Sequence, residues 1–216
     1  MRLEPIVRRL ATAGHATSLW RPTSSELAAA PDAVDIADTI APHLVDERGS
    51  ATRAVIVGHR AGLYVALELL RRHPRRVQGL VSLCGFEAAR PPVAARTSAL
   101  MASAVTSALR QTRLRRQLPF VVARRLAEWA LERRLGADGL VDVVTRPAVP
   151  LFVLTDSHAP RLRRERNRET ALRLAGARWE VLPHDCVGSG SIAVSVARRI
   201  AAFVNETGAA TAAASV

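Results

Sequence analysis

The chemistry in this chain is concentrated around position 60. Ala54-Val-Ile-Val-Gly-His-Arg-Ala-Gly62 runs an apolar strand into Gly-x-Arg-x-Gly, and a helical pattern follows from Leu63 to Arg72. The two glycines permit a tight strand-to-helix turn that lifts the central side chain to the carboxyl end of a sheet. A serine in that place becomes a nucleophile once a histidine takes its proton. The residue there is Arg60, which stays protonated and has no lone pair to give. It also stands at a helix N-terminus, where free N–H groups and the helix dipole favour anions. A cation fixed at that point seeks a carboxylate or a phosphate. One expectation is therefore an acidic-ligand pocket formed by His59, Arg60, the Ala61 N–H and the loop at Gly85. In the competing reading Arg60 turns outward or pairs with an internal acid such as Asp156 or Glu87.

Other reactive residues are arranged less suggestively. Cys84 ends an expected strand, and Cys186 follows His184 and Asp185. A Cys–His pair can be catalytic, but side chains adjacent in sequence point in different directions and imply no orienting geometry. The two cysteines form no disulfide framework and fit a reducing cytoplasm as small buried hydrophobes. Ser157-His158 and Gly188-Ser-Gly-Ser191 read as turns. The six histidines have no metal-ligand spacing, and Gly188-x-Gly190 lacks the strand and spacing of a nucleotide loop. Neither metal nor cofactor is expected.

Positioning the residues at 59–61 takes a strand before them, a helix after them and neighbours on both sides. The pattern predicts a helix at Ile6–Ala13 closed by Gly14, a strand at His15–Trp20, and a helix at Ala33–Val45 with Asp32 as N-cap. The strand Arg53–Val57 and its helix to Arg72 follow, then a strand at Val77–Leu83. After Pro147 come a strand at Val149–Thr155, a helix at Arg161–Leu174, a strand at Arg178–Leu182 and a helix at Ile192–Val204. Such alternation argues for an α/β fold with a mostly parallel sheet flanked by helices. Between Gly85 and Pro147 no strand is apparent; helical patterns at Ala94–Leu109 and Leu118–Leu135 suggest a helical lid, the second basic and amphipathic. Thr207–Val216 reads as a frayed tail. The expected division is 1–85 and 147–205 for the two parts of the core, 86–146 for the lid and 206–216 for a flexible tail.

The length of 216 residues, 49% hydrophobic, fits one domain with a sizeable core. Aromatics are only 4%, so that core is built from Ala, Val and Leu. All 31 basic residues are Arg, and the formal charge is +12. Uniform Arg with abundant Ala is the mark of GC-rich coding, which makes a solvated basic surface the simpler reading than a nucleic-acid site. The first residues show no apolar signal segment, and no run approaches the roughly 20 apolar residues of a membrane span. A cytoplasmic protein is the expectation.

The block Val55-Ile-Val-Gly-His-Arg-Ala-Gly-Leu-Tyr-Val-Ala-Leu-Glu-Leu-Leu-Arg-Arg-His-Pro-Arg-Arg-Val-Gln-Gly-Leu-Val-Ser-Leu-Cys-Gly85 resembles the centre of the α/β-hydrolase superfamily. Its flanks agree: Ala13-Gly14-His15 resembles the approach to an early strand, Pro150-Leu-Phe-Val-Leu the strand before the catalytic acid, and Val181-Leu-Pro183 the approach to the catalytic histidine. The likeness covers nearly the whole chain and implies a degenerate member. Arg60 replaces the elbow serine, Ala159 falls at the acid position and Val187 at the histidine position. A slip of alignment would bring in Asp156, His158, His184 or Asp185. Superfamily members also carry strands before the first helix, with a His-Gly loop that supplies half of the oxyanion hole. This chain opens at the helix, an expected truncation that leaves only the Ala61 N–H as a donor. A missing strand would have lain between the first two strands: either the sheet closes that gap, a protein partner fills the incomplete edge, or the true start lies upstream. Losing one oxyanion donor costs about 100- to 1000-fold in turnover, and losing a triad about a millionfold.

The resemblance thus implies an α/β-hydrolase-like fold without hydrolytic activity, binding a small acidic ligand or a protein partner. The alternative is an esterase-like hydrolase with a displaced active site. A third and weaker reading, an arginine-rich binder of nucleic acid or acidic membrane, requires arginines gathered on one face.

Overall fold

The computed structural model describes residues 3–20, 33–44, 53–59, 61–83, 149–159, 161–173, 177–182 and 191–213. The elements are α1 (Glu4–Thr12), α2 (Ala33–Ile40), β1 (Ala54–His59), α3 (Ala61–Arg72), β2 (Val77–Leu83), β3 (Leu151–Asp156), α4 (Arg161–Arg173), β4 (Ala177–Leu182) and α5 (Ser191–Ala213). The four described strands form one parallel sheet in the order β1-β2-β3-β4.

Parallel strands covered on both faces read as continuous apolar runs, and β2 and β3 do so because they are central. Every residue of Leu151–Thr155 is buried, as is every residue of β2 except Gln78. One face of the sheet is covered by α1 and α5, with Ile6, Leu10, Val81, Leu83, Phe152, Leu154, Val196 and Ile200 in a single cluster. The other is covered by α3 and α4, where Leu63, Leu67, Leu80, Leu151, Val153 and Ala171 meet. Full burial of each such Leu, Ile or Phe contributes about 1.5–3 kcal/mol. Helix α3 is buried at every position from Leu63 to Leu70, being held between the sheet and α2 through Leu69, Leu70, Ala37 and Ala41. A clasp reinforces this contact. Arg72 donates Nε to Asp38 Oδ1 at 2.8 Å and Nη2 to Oδ2 at 2.7 Å, and His73 Nε2 lies 3.1 Å from Oδ1. The Arg72 bonds first, then His73, hold the Asp38 carboxyl below its ordinary value.

The edge strand β4 and α5 are joined by charge. Arg178 bridges Glu180 and Glu206, and Arg199 donates Nε to the other oxygen of Glu180 at 2.8 Å and also contacts Ser195. The Arg178 guanidinium also lies over the Phe152 ring, 5.1 Å from its centre, and Phe152 meets Phe203 at 5.5 Å. A Cβ on Gly79 would come within 3.0 Å of Phe203 Cε1, so glycine makes room for that ring.

Two expectations from sequence are corrected. His15–Trp20 is not a strand; the segment runs along α1, with Thr17 Oγ1 3.5 Å from the Val7 carbonyl oxygen. Gly14, at φ +86°, turns the chain out of α1, but no described strand takes up the segment. The sheet therefore has no gap among its described strands, which are neighbours in sequence order. The tail expected from residue 206 onward is helical as far as Ala213, and Thr207 is 4% exposed. Asp32 and both lid helices (Ala94–Leu109, Leu118–Leu135) lie outside the described residues. No described helix is long and apolar enough to cross a membrane.

Candidate functional site

The carboxyl end of β1 passes into α3 with a single residue between them in sequence. The close approach is set by Gly58. A Cβ built there would lie 2.6 Å from Leu63 Cα, 3.0 Å from Leu63 N and 3.1 Å from the Gly62 carbonyl oxygen. No real side chain fits at those distances, so glycine lets the first turn of α3 lie against the strand. Gly62 differs: a Cβ there would meet nothing within 4 Å. The sequence motif treats the two glycines alike, whereas the described geometry requires only the first.

His59 ends β1, opposite Leu83 of β2 in register. Val55 and Val57 pack into the α1/α5 cluster, and strand alternation puts His59 on the same side. The residue is half-buried, and its buried Nε2 has no hydrogen-bond partner among the described residues. An unsatisfied buried imidazole nitrogen is costly in a folded protein. Ala61 opens α3, in which the first backbone N–H groups have no intrahelical acceptor. Arg60, Cys84 and Gly85 lie outside the described residues, as do Glu87, His184, Asp185, Cys186 and Val187. Of the expected pocket, the structure therefore places His59 and the start of α3 side by side.

The turn after β3 is tied down on several sides. His158 N donates to Asp156 Oδ1 at 2.7 Å and Ala159 N to the Asp156 carbonyl at 3.1 Å. Ser157 N donates to the Leu182 carbonyl at 3.0 Å, and Arg164 Nη1 to the Ser157 carbonyl at 2.8 Å. Ser157 and His158 are thus turn residues, as their types suggest, and Asp156 organises the turn. Ala159, at the position expected for a catalytic acid, has no carboxylate.

A further reactive residue, Ser82, stands in β2. It lies opposite Gly58 and Val153, is fully buried, and its Oγ has no hydrogen-bond partner among the described residues. A lone hydroxyl in the otherwise apolar Leu80-Val-Ser-Leu83 is the sequence signal that could have found it. Nearby on the same side of the sheet, Trp179 Nε1 donates to Thr155 Oγ1 at 3.2 Å.

Surface charge is dispersed. Arg8 and Arg9 on α1, Arg75 before β2, Arg168 on α4 and Arg198 on α5 are exposed, and none forms an ion pair among the described residues. They are spread over both faces of the sheet. Among the described residues no group of three His, Cys, Asp or Glu could hold a metal ion.

No family model matches the chain, and no curated protein matches it. Solved structures do. A thermophilic esterase from Thermogutta terrifontis, solved with malate bound, superimposes with a TM-score of 0.53 at 18% identity, over 89% of this chain and 75% of that one. An α/β-hydrolase fold protein from Nakamurella multipartita gives 0.52 at 19% identity, over 91% and 85%. The chain has the α/β-hydrolase fold. The resemblance read from the block 55–85 is borne out at the level of fold, and identities this low establish no activity.

Proposed function

We propose that this α/β-hydrolase-fold chain does not hydrolyse esters and instead binds a small acidic ligand at its elbow. The observation that carries the reading is the Gly58 contact with α3, which supports a true elbow at the point where the sequence supplies Arg60. A guanidinium has no nucleophilic lone pair at any working pH, and Ala159 supplies no acid. The same elements suit an anion: a helix start with free N–H groups, a cationic residue in sequence just before it, and the unpartnered Nε2 of His59. His59, Arg60, the Ala61 N–H and Gly85 are the proposed binding groups.

The test is thermal unfolding of the purified protein with acetate, malate and phosphate, malate being the dicarboxylate of the Thermogutta esterase structure. A rise in Tm with at least one of these anions that disappears in Arg60→Gln is the expected result. A melting temperature indifferent to all three overturns the ligand reading. The second reading is a hydrolase with a displaced active site, for which His59, at the end of β1 with its Nε2 unpartnered among the described residues, is the candidate base. Turnover of an ester that survives Arg60→Ala and is lost in His59→Ala would establish it.

A further inference from the structure

We draw no further inference here: the strongest candidate, the outer edge of β1, which no described strand pairs and along which Val55, Ile56 and Val57 are only half-buried, carries nothing because nothing in the structure shows what covers it.

Discussion

Replacing Gly58 by Ala puts a methyl group where the nearest backbone carbon is 2.6 Å away, whereas ordinary contact begins at 3.4 Å. The atoms met are Leu63 Cα, Leu63 N and Gly62 O, all main chain, so no side chain can swing aside. Strand and helix must separate by roughly 0.8 Å, and overpacking of this kind costs about 1–3 kcal/mol. In a chain of this size each kcal/mol lowers Tm by about 2–4 °C, which gives a drop of about 2–12 °C. Gly62→Ala is the matched control. Its Cβ meets nothing within 4 Å, and alanine in a helix restricts the unfolded chain, stabilising by about 0.4–1 kcal/mol. Calorimetric melts of the two variants should therefore move in opposite directions. A Gly58→Ala protein that melts with the parent, or a Gly62→Ala protein that falls further than it, would refute the close strand–helix approach on which the elbow rests.

Two other predictions concern buried and paired polar groups. Ser82→Ala removes a buried hydroxyl that has no partner, and stability should hold or rise by about 1 kcal/mol in urea unfolding with an unchanged slope; a marked loss would show that the hydroxyl is satisfied. Asp38 has a folded pKa below its ordinary 3.8 because Arg72 and then His73 bond its carboxylate. Its contribution is therefore complete above that ordinary value and is lost as the pH falls through the lower folded one. The stability gap between the parent and Asp38→Asn should be open near neutrality and close in acid below 3.8. A gap that stays constant through the acid range would contradict the clasp.

Much of the scaffold was legible because its signals are local. The runs Val77–Leu83 and Leu151–Thr155 have the uninterrupted apolar character of strands covered on both faces, and α3 follows its elbow at the expected place. His15–Trp20 has strand-like composition, but a strand exists only where a neighbour accepts its hydrogen bonds, and no single sequence shows which edge is available. The small residues from Thr207 onward have the composition of a frayed end, yet the same composition also suits a helix. Alanine is the best helix former, and Thr207 and Gly208 lie against β2 near Gly79 and Gln78, which extends α5 through them. At the site, the identity of residue 60 was plain in the sequence. The unequal roles of Gly58 and Gly62, the orphaned Nε2 of His59 and the buried Ser82 hydroxyl were not, since each depends on what another element brings near.

The central claim is that a true elbow carrying Arg60 does no ester chemistry. The most direct test is hydrolysis of a short-chain aryl ester by the purified protein beside Arg60→Ala and Arg60→Ser. The account predicts no turnover above the protein-free rate in the parent or in Arg60→Ala, and little gain from the serine, since Ala159 leaves it without an acid to orient a base. Turnover by the parent protein clearly above the protein-free rate, whether or not it survives Arg60→Ala, would contradict it.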